Sequence, residues 1–123
     1  MNLDKIFDLL HCDIDVLVGL KGCNNNLQDY EELLSHFIDN SAFDVLDTAI
    51  NGHDFLNAKR IARLLIGCAD KLGMLYISDL LHDLLGSIQS LKWTQASKTM
   101  QEIKNSLDAI KATLQDYETP CVS

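Results

Sequence analysis

The sequence predicts an all-α protein, an antiparallel up-and-down four-helix bundle with a short N-terminal helical arm. Three observations carry this expectation. Hydrophobic residues make up 47% of the 123 residues, against one proline and six glycines, which is too little turn-forming material for an all-β sandwich and too much apolar content for disorder. Apolar residues recur at steps of three and four along most of the chain, the period of an amphipathic helix. The periodic stretches are joined by short connections, which set successive helices side by side and antiparallel. A chain of this length builds one domain around one core, read here as an arm over residues 1–26 and a bundle over about 27–118.

An apolar segment from Leu3 to Leu10 opens the arm. A short helix through Leu20 follows, with Asp13 or Asp15 as its cap and Gly22 as its stop. From Leu27 to about Ile50, the residues Leu27, Tyr30, Leu33, Leu34, Phe37, Ile38, Val45, Leu46 and Ile50 keep helical spacing, and Asn51-Gly52 closes the helix. A bend is expected at "DNSA", Asp39 to Ala42. The next helix starts near Asp54 and runs to Leu72, where Gly73 can take the positive φ that ends it. A fourth, from about Leu75 to Ser90, carries Leu75, Ile77, Leu80, Leu81, Leu84, Leu85 and Ile88, broad enough to be buried on more than one side. Lys92-Trp93-Thr94 is read as the turn out of it. The last helix, Gln95 to Tyr117, presents a narrow stripe of Met100, Ile103, Leu107, Ile110 and Leu114.

Eighteen acidic residues against ten basic ones give a net charge of −8, which repels phosphate backbones and anionic lipid. Neither nucleic acid nor a membrane is expected as partner. The N-terminal "MNLDKIFDLLHCD" has acids where a secretory signal has lysine and arginine, and no later run approaches the ~20 apolar residues of a span. The expected compartment is the cytoplasm, and the starting methionine and the tail "TPCVS" agree with a free-standing protein. Cys12, Cys23, Cys68 and Cys121 show no CxxC spacing, so no disulfide framework is expected. "HCDID" (His11 to Asp15) with Cys23 lacks paired ligand spacing and reads as loop and cap rather than metal site; no metal and no cofactor are expected.

The helix starting near Asp54 has one unusual face. On a wheel of about 100° per residue, its core stripe is Phe55, Ala58, Ile61, Ala62, Leu65, Cys68, Ala69 and Leu72. Leu56, Arg63 and Gly67 fall on the opposite side, with Ile66 on the flank. A glycine there costs about 1 kcal/mol relative to alanine. It clears the surface around Arg63 for another molecule, or it accommodates a close helix crossing or is simply tolerated, and spacing alone does not separate these readings.

The stretch Ala62-Arg63-Leu64-Leu65-Ile66-Gly67-Cys68-Ala69-Asp70-Lys71-Leu72-Gly73 resembles the signature of histidine phosphotransfer (HPt) domains, approximately Ala-His-x-Leu-Lys-Gly-x-Ala-x-x-Leu-Gly. Those are helical bundles that relay phosphoryl groups in two-component signalling. The helix order fits from about Asp13 to Tyr117, including "EELLSHFID" (Glu31 to Asp39) before the motif and "LLHDL" (Leu80 to Leu84) after it. Two positions depart from the pattern. The family's phospho-accepting histidine falls on Arg63, and its supporting lysine on Ile66. Imidazole offers a lone pair near neutral pH, whereas a guanidinium, with a pKa above about 12, offers donors only. The resemblance therefore implies a degenerate module without a catalytic residue at the family position. Its partner would be a receiver domain or a histidine kinase, docked on Leu56, Lys59, Arg63, Ile66, Gly67 and Asp70, and the chain would be a monomer rather than a homodimer.

Two other functions remain open at this stage. One is active phosphotransfer through another histidine, His53 or His82. His53 is read as capping or solvating the start of its helix and His82 as a flank residue beside Asp83. His36 faces away from Leu33 and Phe37, His11 lies in the arm, and none is read as having a glycine one turn on that would bare it. The triplet Leu20-Lys21-Gly22 copies part of the motif, but Val18 stands where the histidine would be. The other function is a helical dimerisation module packing Leu56 and Ile66 against a second copy.

Overall fold

The computed structural model of the chain describes residues 8–10 and 14–118. Of the first apolar segment only residues 8–10, which are helical, are described; His11, Cys12, Asp13, Cys121 and the tail lie outside the described residues. Six helices follow: α1 Val16–Lys21, α2 Leu27–Ile38, α3 Ala42–Asn51, α4 Phe55–Leu72, α5 Leu75–Gln89 and α6 Trp93–Glu118. The described chain is all-α, and its one isolated bridge pairs Ile14 with Met74. α4 packs on α5 and α5 on α6, while α2 and α3 each touch both α4 and α6, and α1 lies against α2 and α4. Leu34, Leu46, Ile50, Leu65, Leu81, Leu84 and Ile88 fill the interior, and the expected α6 stripe from Met100 to Leu114 is buried throughout. On α5 the apolar set is narrower than expected, because Leu75 stays exposed and Leu85 is half-buried.

The helix expected from Leu27 to Ile50 is two helices. Side chains of Asp, Asn and Ser compete with the backbone for its own hydrogen bonds, and Asn40 does so here: its Oδ1 accepts from the Ala42 amide at 2.8 Å. Across the break Phe37 and Phe43 meet edge to face, their ring centroids 5.2 Å apart. From the far side, Lys111 reaches Asp39 and Lys104 reaches Asp47, holding both halves to α6.

Two helix ends also differ from expectation. Gly52 occupies the C-cap of α3 with ordinary φ, and the left-handed residue is His53, φ 52°. After α5 the left-handed residue is Leu91, φ 57°, so Trp93 already belongs to α6 and the turn lies one step earlier. Both ends have the Schellman pattern: Asp54 N–H donates to Ala49 O and His53 N–H to Ile50 O, as Lys92 does to Ser87 and Leu91 to Ile88. Hydrogen bonding rather than glycine sets these ends.

At the end of α4 glycine is required. Gly73 has φ 73°, its amide donates to Asp70 O, and the Met74 amide to Ala69 O. A Cβ there would also run into the backbone carbonyl of Asp15, whose amide donates to Gly73 O at 2.6 Å. Beside this contact the buried Tyr30 hydroxyl donates to Leu72 O at 2.7 Å, satisfying a carbonyl that the helix leaves open. Burial first, and then Cys23 and Asp15, push the Tyr30 phenol up from its ordinary range.

Three outcomes follow from these ends. Gly73→Ala should lower stability by at least about 2 kcal/mol, the sum of a left-handed strain and a backbone clash, read as a lower urea midpoint. Leu91→Gly should raise it by about 0.5–1 kcal/mol, since Leu91 is 61% exposed and only the strain is relieved. Because the folded Tyr30 phenol holds its proton more tightly than the unfolded one, its contribution is complete below about pH 10 and is lost as pH rises above that. Tyr30→Phe should flatten that alkaline slope while lowering stability at neutral pH by about 1–2 kcal/mol.

Candidate functional site

The candidate face is built on α4. Asp54 starts the helix: its Oδ1 accepts from the Asn57 amide at 3.3 Å, the Asn57 side-chain amide donates back to Asp54 Oδ2 at 2.8 Å, and Arg60 donates to Asn57 Oδ1 at 3.2 Å. Gly73 ends it. Between them Ala58, Ile61, Ala62, Leu65, Ala69 and Leu72 are buried, as the wheel predicts, while Phe55 and Cys68 are half-buried at its edge. With three alanines, two leucines and an isoleucine packed on its buried side and its ends capped, the helix holds its other side toward solvent.

Arg63 is exposed and makes no hydrogen bond or ion pair among the described residues. Neither Asp70 nor Asp79 ties it down; the Asp70 carboxylate instead accepts from the Ser78 hydroxyl at 2.5 Å. One turn on, Gly67 is exposed and a Cβ built there would meet nothing within 4 Å. That outcome removes the helix-crossing account of this glycine. Leu56 is 76% exposed and Leu64 63%, so two leucines flank the arginine and the glycine. Ile66 is half-buried and packs on the core, presenting only an edge. Lys59 is also half-buried, its ammonium 5.6 Å above the Phe55 ring centroid, a cation–π distance.

Leu64 and the charge of the face escape the sequence reading. Lys59, Arg60, Arg63 and Lys71 against the single acid Asp70 leave α4 at +3, within a chain of −8. The signal was legible as the one helix where bases outnumber acids so clearly. Chemically the face offers donors, positive charge and leucine side chains, a combination suited to pairing with carboxylates beside apolar contact.

The histidines are dispersed. His53 does not cap α4, a role taken by Asp54; its ring stacks on Trp93, 4.9 Å between centroids and 2° from parallel. His36 is exposed on α2. His82 is exposed on α5, and the expectation that no histidine has a glycine one turn on fails here: Gly86 follows four residues later, exposed, with nothing within 4 Å of a Cβ. Its neighbours Leu81 and Leu84 turn inward, leaving His82 at the mouth of an open polar cleft of 490 Å³ between α5 and α6, with Asp83, Lys92, Gln95 and Glu102.

Among the described residues no three His, Cys, Asp or Glu side chains are grouped to hold a metal ion, and Cys23 and Cys68 are free thiols. No helix of the described residues is long and apolar enough to cross a membrane. No family model, curated protein or solved structure matches the chain, so its role has to be read from the motif and the geometry of α4.

Since nothing crowds Gly67, Gly67→Ala should stabilise the protein by about 1 kcal/mol, seen as a higher denaturation midpoint. A lower midpoint would mean that the glycine serves packing after all.

Proposed function

We propose that the chain is an HPt-like signalling module of a two-component phosphorelay, in the cytoplasm, that docks a receiver domain or a histidine kinase on the exposed face of α4 and accepts no phosphoryl group there. The observation that carries this reading is the pair Arg63 and Gly67: an unpaired guanidinium at the family's histidine position, above a glycine that gives up helix stability without serving any contact. The helix contacts agree with it. α2 and α3 together, then α4, α5 and α6, succeed one another around the interior, which supports an antiparallel four-helix bundle whose first helix is split. Leu56, Leu64 and the edge of Ile66 supply apolar contact, and Lys59, Arg60 and Lys71 give the face the positive charge that an acidic receiver pocket would meet.

Arginine at the centre suits docking and not transfer. Its fork pairs bidentately with carboxylates, and it is among the residues whose removal most weakens interfaces. It has no lone pair to attack phosphorus. A second reading, transfer through His82, is favoured by the bare Gly86 beside it; His53, stacked on Trp93, is also exposed but has no glycine one turn on.

Titration of candidate receivers should give binding that Arg63→Ala weakens by at least about tenfold, with Leu64→Ser adding to the loss. Incubation with a phosphorylated receiver should leave no acid-labile label on the chain. Label that disappears in His82→Gln would favour the second reading.

A further inference from the structure

A groove of 630 Å³ lies between α1, α2 and the last turn of α4, larger than the cleft at His82 and within the ~300–1,000 Å³ of small-molecule sites. Val18, Leu33, Phe37 and Leu72 form its apolar walls. Gly19 and Gly22 line it on the α1 side. Half-buried Cys68 and buried Cys23, both free thiols, also line it.

Among the described residues, the nitrogen-bearing side chains that line the groove are Lys71, His36 and Asn40, and no acid lines it, although acids outnumber bases in the chain by eighteen to ten. Lys71 and His36 make no ion pair or side-chain hydrogen bond among the described residues. The Asn40 carbonyl oxygen is taken up by the Ala42 amide, which leaves its NH₂ as the free group. An apolar groove whose unengaged polar groups are an ammonium, an imidazole and an amide donor is complementary to an apolar chain ending in an anion. A neutral apolar ligand would gain nothing from the ammonium, which is exposed and stays hydrated, and a cationic one would be repelled by it.

We propose that this groove binds a small anionic amphiphile, an acyl chain with a free carboxylate, its head at Lys71 with His36 and Asn40 donating, and its chain along Leu33, Phe37 and Leu72. The site adjoins the proposed docking face and shares Lys71 with it, but Arg63 and Gly67 do not line it.

The probe is decanoate, added below its micelle limit to the full chain with Cys12 and Cys121 replaced by serine. Amide shifts of Val18, Leu33 and Cys68 should saturate, and bound decanoate should slow the reaction of Cys68 with a thiol reagent. Lys71→Glu should weaken decanoate by at least about tenfold while leaving decanol unchanged. Val18→Trp, at an exposed rim position, should fill the groove and abolish the shifts in a protein whose denaturation midpoint matches the parent's. The proposal is overturned if decanoate gives no saturable shift, if decanol or decyltrimethylammonium binds as tightly as decanoate, or if both variants bind it like the parent.

Discussion

The end of α4 depends on Gly73 taking a left-handed conformation with the backbone of Asp15 directly against it. Three segments meet there. The Asp15 amide donates to Gly73 O, the Leu75 amide that begins α5 donates to the same carbonyl, and the Tyr30 hydroxyl of α2 donates to Leu72 O. The arm, α2 and the start of α5 are thereby attached to one helix terminus, in a buried place where each lost hydrogen bond would leave a polar group without water. Gly19 belongs to the same junction, since a Cβ on it would run into the Tyr30 ring. With its end clamped and its inner face packed by small and apolar residues, α4 cannot rotate to hide Leu56 or Leu64.

That constraint makes the outer face of α4 informative. A helix free to choose its exposed residues for stability would carry alanine or a long polar side chain at position 67 and few bare leucines. This one has glycine, two well-exposed leucines and an arginine without a partner. Its positive charge stands out against an acidic chain. These features oppose stability and favour recognition, and they coincide with the stretch that resembles the HPt signature. Against that signature Arg63 stands at the histidine position and Ile66 at the lysine position, so on the proposed reading the nucleophile and its supporting charge are gone while the clearing remains.

Much of α4 was legible because its signals are local. Asp54 before an apolar run and Gly73 after it are start and stop marks that need no tertiary knowledge, and the 3.6-residue period sorted Leu65 inward and Arg63 outward. Elsewhere the deciding partners are distant or of the wrong residue type. The break at Asp39–Ser41 is bridged by Phe37 against Phe43 and tied to α6 by two lysines, partners that a linear reading does not see. His53 and Leu91 take left-handed conformations that composition assigns to glycine. Tyr30 and Leu72 are 42 residues apart. Gly86 stands one turn after His82, but the leucines around that histidine carry the stronger periodic signal, that of a core-facing helix.

The claim that only the chemistry has been lost, and the docking geometry kept, is tested most directly by restoring the chemistry. Arg63→His with Ile66→Lys recreates the motif on the same helix. Given a phosphorylated receiver that binds the parent chain, the account predicts acid-labile phosphoryl label on the double variant and none on the parent. A double variant that binds the receiver as the parent does and folds as stably, yet acquires no label while the parent is labelled at His82, would contradict it.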